Sequence, residues 1–320
     1  MWKFHPIYKK TIWGGHKIAP LCGLDDSDSI GECWRLSGVD GSISTVLEGP
    51  DEGLSICDLI SRDGVSLLGK LNYRKFGDTF PLLVKLIDAD DYLSVQVHPD
   101  DEMALSLGKE RGKTEMWYVL PSTPGAELSL GFNRDVEPDE FLDIVQEGRI
   151  SEILNTTAIS EGDVFLIPAG TIHTIGKGCF LIEVQQTSDD TYRVYDYGRK
   201  DAFGNGRELH LEMACRALNF NQSSGTAVEY TDYHDIPVNV VKTPYFSTNV
   251  MTLDIPILRD YSECDSFVII IAARGKAHLV APSGETDLSM GELALVPASA
   301  DNISIIPDGE FTALEVYIKP

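Results

Sequence analysis

Three short segments of this 320-residue chain carry side chains whose types and spacing could do metal or acid–base chemistry. The first is Ser94-Val95-Gln96-Val97-His98-Pro99-Asp100. Read as a strand, its period of two puts Ser94, Gln96 and His98 on one face and Val95 and Val97 on the other. Such a polar face either meets solvent or, if buried, needs partners, and a metal ion would supply one. The second is Gly112-Lys113-Thr114-Glu115-Met116-Trp117-Tyr118, where Glu115 opens an apolar strand. A carboxylate there is either exposed or, if buried, compensated by a metal or a lysine. The third is Pro168-Ala169-Gly170-Thr171-Ile172-His173. Together Gln96, His98, Glu115 and His173 offer two nitrogens and two oxygens, a mixed set that suits Zn²⁺ or a similar first-row divalent ion. One carboxylate against a dication leaves the site net positive, which favours binding and polarising substrate oxygens.

A fourth segment runs from Glu183 to Arg193. Glu183 and Gln185 share a strand face, and Arg193 lies beyond a polar turn from which it could reach back to a pocket. Arg199, Lys200 and Arg207 add a basic cluster to an otherwise acidic chain. Residues 1–220 hold 21 of the 26 Lys and Arg, so an anionic ligand is expected there rather than in the last hundred residues. Cys179 is close by but has no convincing catalytic base, and is read as a core or edge thiol.

The formal charge of −24 argues against nucleic acid, whose binding relies on neutralising phosphates with Lys and Arg, and against anionic membrane surfaces. A 43% hydrophobic fraction with 12 Tyr, 12 Phe and 4 Trp is globular composition. No apolar run approaches the roughly 20 residues of a membrane span, and the opening residues have no apolar core of a signal peptide. Six scattered cysteines without a C-x-x-C pair read as reduced thiols, so a cytoplasmic protein is expected.

The elements that must position these side chains are mostly short strands. Runs at 80–88, 93–97, 116–120, 164–167 and 180–185 are β-branched or aromatic and of strand length, and 269–271, 293–296 and 312–318 continue the pattern. Helical spacing is confined to 54–60, 100–107, 138–147 and 207–218. One internal repeat is visible. Residues 162–173 read GDVFLIPAGTIH and 291–302 read GELALVPASADN, each a strand ending in a Pro-centred turn that delivers a polar side chain to the next strand. The second copy offers Asn302 where the first offers His173. The expected organisation is a catalytic domain over 1–230, with helical insertions near 51–70, 100–112, 136–160 and 206–219, and a degenerate C-terminal domain over 231–320 that binds no metal.

The Gly162–His173 spacing resembles the second cupin motif. The combination of SVQVHPDD, GKTEMWYV, PAGTIHTIG and SDDTYRVYDYGR, with KTIWGG near the start, resembles the type I mannose-6-phosphate isomerases, in their short bacterial form, over nearly the whole chain. The resemblance implies a mainly β fold of two cupin-type jelly-roll barrels with helical insertions. It also implies one Zn²⁺ per chain held by Gln96, His98, Glu115 and His173. Arg193 matches the family's active-site arginine, Lys113 a substrate-site lysine, Ser94 a serine near the phosphate region and Glu183 a carboxylate near the sugar. A further basic residue is expected at Lys200, where the match can slip by one. The implied reaction interconverts mannose 6-phosphate and fructose 6-phosphate through a cis-enediol, with Arg193, Glu183 and Lys113 as the catalytic candidates and Glu183 the candidate base. The competing readings are another metal-dependent cupin enzyme and a sugar-binding or regulatory cupin without turnover.

Overall fold

In a computed structural model, which describes residues 1–25, 27–200, 204–223 and 225–319, the chain divides into two compact units. One comprises Tyr8–Cys33 and Lys85–Val228, the other Met1–Ile7, Trp34–Val84 and Glu229–Pro320. The strands of the first half are β1 (Ile7–Lys9), β2 (Glu32–Leu36), β3 (Leu82–Asp88), β4 (Val95–Val97), β5 (Glu115–Val119), β6 (Glu127–Phe132), β7 (Leu154–Ala158), β8 (Val164–Ile167), β9 (His173–Ile175), β10 (Phe180–Gln186) and β11 (Tyr192–Tyr195). Those that follow are β12 (Val238–Lys242), β13 (Ser247–Leu253), β14 (Ile257–Asp260), β15 (Val268–Arg274), β16 (Lys276–Ala281), β17 (Gly284–Ser289), β18 (Leu293–Val296), β19 (Asn302–Pro307) and β20 (Phe311–Tyr317). The helices are α1 (Ile18–Leu21), α2 (Ile56–Leu68), α3 (Lys70–Phe76), α4 (Asp101–Ser106), α5 (Pro138–Gln146) and α6 (Leu211–Ala217).

The same antiparallel interleaving occurs twice. The sheet order β1-β2-β3-β10-β5-β8 faces the order β11-β4-β9-β6-β7; the second set repeats it as β12-β13-β20-β15-β18 and β14-β19-β16-β17. Counting eight strands from β3 or from β13, one sheet reads first-eighth-third-sixth and the other second-seventh-fourth-fifth. That is the jelly-roll pattern, in both cases. The expected mainly β, two-barrel architecture is therefore present.

Strand alternation decides what each barrel encloses. In the β3–β11 barrel, Leu128, Leu130, Trp117, Val119, Ile167, Ile175 and Leu181 fill the interior. Val95 and Val97 point the other way, into a second cluster covered by α5 and α6 through Phe141, Ile144, Val145 and Ala214. α5 begins at Pro138, whose fixed φ suits a first helical turn, and places Phe141, Ile144 and Val145 on its buried face. The interior of the β13–β20 barrel is apolar over most of its length, with Val268, Ile270, Leu279, Ile303, Ile305 and Phe311 all buried.

Two sequence expectations change. Residues 34–84, read as part of the catalytic domain, cluster instead with the C-terminal strands. The cause is non-local: the Asp265 carboxylate accepts from Lys70 N (2.8 Å) and Leu71 N (3.0 Å) at the start of α3, and Asn72 Nδ2 donates to the Ile318 carbonyl (3.3 Å). Gly69 makes the approach possible, since a Cβ there would lie 2.2 Å from the Asp265 carbonyl oxygen. The helix near 54–60 is also longer than its apolar spacing indicated. It starts from a reciprocal Ser55–Asp58 capping box and reaches Leu68 across a kink at Gly64, whose φ and ψ leave the helical region.

Candidate active site

β4 and β9 lie side by side with Gln96 opposite His173, and β11 flanks β4 with Arg193 opposite Gln96. Cross-strand partners share a face, so Arg193, Gln96 and His173 form a row on one sheet. The facing sheet supplies Glu115, which lies between Gln185 and Ile167, and Glu183, opposite Trp117. Both carboxylates point inward because Trp117, Val119 and Leu181, at the same parity, do.

Main-chain hydrogen bonds tie the three motifs together. Gly170 N donates to the His98 carbonyl (2.9 Å) and Lys113 N to the Pro99 carbonyl (2.9 Å). Gly170 sits at φ +84°, a left-handed conformation that favours glycine, and this turn aims His173 inward. Gln186 accepts from Thr114 N (2.9 Å) and donates to Asp101 Oδ1 (2.9 Å), which fixes the loop ahead of β5.

The ligand atoms of His98, Glu115 and His173 lie within 4.8 Å of one another, and all three residues are buried. Glu115 Oε1 is 3.3 Å from His173 Nε2, and Oε2 is 3.5 Å from His98 Nε2. His98 donates from Nδ1 to the Asp190 carbonyl (2.8 Å) and His173 from Nδ1 to the Thr171 carbonyl (2.9 Å). These bonds set both tautomers so that the Nε2 lone pairs face the carboxylate, the outer-shell arrangement of metal-ligating histidines. Gln96 completes the group, its amide 3.2 Å from His173 Nε2. Glu115 Oε1 is buried with no hydrogen-bond donor among the described residues, and Oε2 meets the Lys113 ammonium at 2.7 Å, so one carboxylate oxygen is left for a bound cation to satisfy. The four residues therefore fit a divalent ion of the nitrogen- and oxygen-liganded kind.

Electrostatics agree. Burial, then the Lys113 charge, hold His98 well below its usual range, and burial brings His173 down to about 4, so both rings are neutral donors near neutrality. Burial and the neighbouring Glu183 raise Glu115. The Lys113 ammonium sits against the same atoms, 2.7 Å from Glu115 Oε2 and 3.0 Å from His98 Nε2. Glu183 is the opposite case. Burial works against its ionisation, but Lys85 at 3.0 Å and Lys113 at 4.0 Å overcome it and hold the carboxyl low, and Trp117 Nε1 donates to its Oε2 (2.8 Å).

A cavity of about 310 Å³ opens beside the cluster, and its walls include Ser94, Gln96, Lys113, Glu183, Arg193 and Arg207. Arg193 donates to Ser94 Oγ (3.3 Å) and to the Glu208 carbonyl (2.8 Å), with no carboxylate within 4.0 Å among the described residues. The structure thus brings together every expected residue except Lys200, which is exposed and does not line the cavity. Its neighbour Arg199 is bound to Asp196, and Arg207 reaches the cavity in its stead. Lys85 also lines it and was missed; the signal was a lysine centred in the apolar strand Leu82–Asp88. A larger groove of about 790 Å³ in the other unit, with His278 against exposed Asp287 and Glu285, has no buried convergent donors. Cys179 is buried among the barrel side chains, and burial raises its thiol to about 12, which leaves it inert.

The family profile of the phosphomannose isomerase type I catalytic domain matches residues 1–118, which hold Ser94, Gln96, His98, Lys113 and Glu115. The mannose-6-phosphate isomerase of Bacillus subtilis is 33% identical over 300 residues, 92% of each chain. This chain belongs to the mannose-6-phosphate isomerase family. Another member, from Streptococcus mutans, is 34% identical over 269 residues, 83% of each chain. The crystal structure of the Bacillus subtilis mannose-6-phosphate isomerase superposes with a TM-score of 0.87 at 31% identity, covering 98% of both chains. The isomerase-family match thus spans both barrels, and His173, Glu183 and Arg193 lie beyond the segment the profile covers.

Proposed function

We propose that this chain interconverts mannose 6-phosphate and fructose 6-phosphate, using one Zn²⁺ held by Gln96, His98, Glu115 and His173. The observation that carries the reading is the buried His98–Glu115–His173 cluster beside a cavity whose Arg193 meets no carboxylate among the described residues. When bound, the ion supplies Lewis-acid stabilisation to oxygens that gain negative charge as the proton moves between C2 and C1.

The chain's own residues do the rest. Arg193, with Ser94 against its Nε, offers a fork of donors to the phosphate. Lys113, buried between Glu115 and Glu183, presents an ammonium to the sugar oxygens and offsets charge developing on them. Glu183 is the carboxylate assigned the carbon-bound proton. Lys85 and Lys113 keep it ionised and available, and by the same interaction lower its basicity, so its strength as a base depends on how the substrate reorders those two lysines. We place the protein in the cytoplasm, a reading supported by six cysteines of which none forms a disulfide. No helix among the described residues is long and apolar enough to cross a membrane.

Metal analysis followed by a coupled assay on mannose 6-phosphate tests the proposal. One metal per chain with turnover supports it. A metal-replete protein with no turnover in either direction would favour a sugar-binding cupin.

A further inference from the structure

Asp196 has no role in the account above, and Arg207 entered only as a wall residue. Asp196 follows β11, is 5% exposed, and accepts from two arginines: Arg207 through Nε (2.8 Å) and Nη2, and Arg199 through Nη2 (2.5 Å). Arg199 is committed elsewhere as well. It donates to the Tyr92 carbonyl, approaches Asp91 at 3.5 Å, and lies over the Tyr197 ring at 5.2 Å from the centroid. Of the two, Arg207 is the one that lines the cavity.

Arg193 lines the same cavity, and the two guanidiniums are near enough that Arg207, after burial, is the main influence pushing the Arg193 group down. The chain links them directly. Glu208, next after Arg207, gives its carbonyl to Arg193 Nη1 at 2.8 Å. Asp196 therefore fixes both Arg207 and the main chain that orients Arg193. Two like charges converging on one cavity repel unless anions offset them; Asp196 offsets part of this and takes the Nε–Nη2 edge of Arg207, which leaves the remaining Nη hydrogens as the donors Arg207 can offer a phosphate. A phosphate monoester carries roughly −1.5 to −2 near neutrality, whereas a free hexose carries none.

We propose that Asp196 is a positioning residue that aims Arg207 at the substrate phosphate beside Arg193, and that this arrangement sets the preference for hexose phosphate over free hexose. The inference rests on the isomerase reading, whose own failure shows separately as absence of turnover in the unaltered chain.

The test uses the metal-loaded full chain, with Asp196→Asn, Arg207→Ala, Arg207→Lys and the double variant Asp196→Asn/Arg207→Ala. The readouts are kcat and KM for mannose 6-phosphate, the same for free mannose, and inhibition by inorganic phosphate. In Arg207→Ala the kcat/KM ratio of phosphorylated to free sugar falls roughly 10- to 100-fold, the range of a lost hydrogen bond to a charged group, and the loss is carried by KM. Inhibition by inorganic phosphate weakens by a similar factor, and Arg207→Lys lies between. Asp196→Asn moves the same quantities in the same direction, and the double variant is no worse than Arg207→Ala alone, because Asp196 acts through Arg207. A merely structural pair would lower the unfolding midpoint and leave the sugar ratio and the phosphate inhibition unmoved. That result in Arg207→Ala overturns the proposal, and so does full additivity in the double variant. If Asp196→Asn does not fold, the two Arg207 variants decide by the same readouts. If the unaltered chain shows no turnover, stabilisation by inorganic phosphate, present in it and lost in Arg207→Ala, decides instead.

Discussion

Glu183 and Glu315 occupy the same register position in the two barrels. Glu115 faces Gln185 and Ile167, and Val268 faces Tyr317 and Val296, where Ile167 and Val296 each precede the proline of the internal repeat. Glu183 and Glu315 each lie two residues before the partner of that position. Their surroundings differ. Glu183 meets Lys85 and Lys113 at the wall of a cavity. Glu315 is sealed by Arg259 (2.8 and 2.9 Å), the Tyr261 hydroxyl (2.6 Å) and Asn249 Nδ2 (2.5 Å), and Asn249 accepts in turn from Asn239. At the position of Glu115 the second barrel carries Val268, packed in its apolar interior. One barrel holds its carboxylate at a cavity wall; the other closes it in a saturated network.

Breaking that network should cost stability and leave the chemistry alone. Glu315→Gln removes the charge facing a half-buried guanidinium, and a buried pair broken on one side costs on the order of 3 kcal/mol, less here because Arg259 keeps some solvent contact. Denaturant unfolding should show a clear loss, while the folded fraction keeps its metal content and kcat. A variant as stable as the parent would mean the four side chains are not coupled.

His173→Ala should give a folded, metal-poor and inactive protein. The ring is wholly buried and its Nε2 faces Glu115, so removing it takes one donor from the group and one edge contact from Trp117, 5.5 Å away between ring centroids, while the other interior side chains keep their contacts. Metal analysis after dialysis checks this. Full occupancy in that variant would remove His173 from the ligand set.

Arg193→Ala should cut turnover strongly with metal content near one per chain. The guanidinium contacts Ser94 and the Glu208 carbonyl and none of the three clustered donors, so its loss falls on substrate charge rather than on the ion. Activity retained within a factor of about three, roughly 0.7 kcal/mol on the barrier, would make Arg193 an ordinary cavity-wall residue.

The parts of the site legible in the sequence were those fixed by local geometry. Alternation in Ser94–His98 separated Gln96 from Val95 and Val97, and the Pro168–Gly170 turn announced His173. The repeat misled at its far end. Asn302 keeps the spacing of His173 but is exposed, while Ile303 and Ile305 turn inward. The first copy has Gly170 in the left-handed region where the second has Ser299, and a one-residue slip exchanges the two faces of a strand. The presence of Arg207 rather than Lys200 at the cavity wall was not legible, because no period runs through 196–207 and Arg207 meets its partner Asp196 through space. Nor was the grouping of 34–84 with the C-terminal strands, which depends on Asp265 capping a helix nearly two hundred residues away in sequence.

The metal-free protein should respond to acid with two opposed slopes. His173, lowered from 6.5 to about 4 chiefly by burial, binds fewer protons folded than unfolded between those values. Its contribution is therefore intact above about 6.5 and is lost as pH falls toward 4. Glu115 is raised, from 4.5 to about 7, by burial and then by Glu183, so it binds more protons folded than unfolded and adds stability as pH falls through that window. The two partly cancel in the parent. Denaturant midpoints of chelator-treated protein at pH 7.5 and pH 5 should separate them: relative to the parent, His173→Ala loses less stability on acidification, and Glu115→Gln loses more. Parallel behaviour of all three would mean that the buried cluster exchanges its protons with solvent as freely as exposed groups do, and the desolvated donor set argued above would not exist.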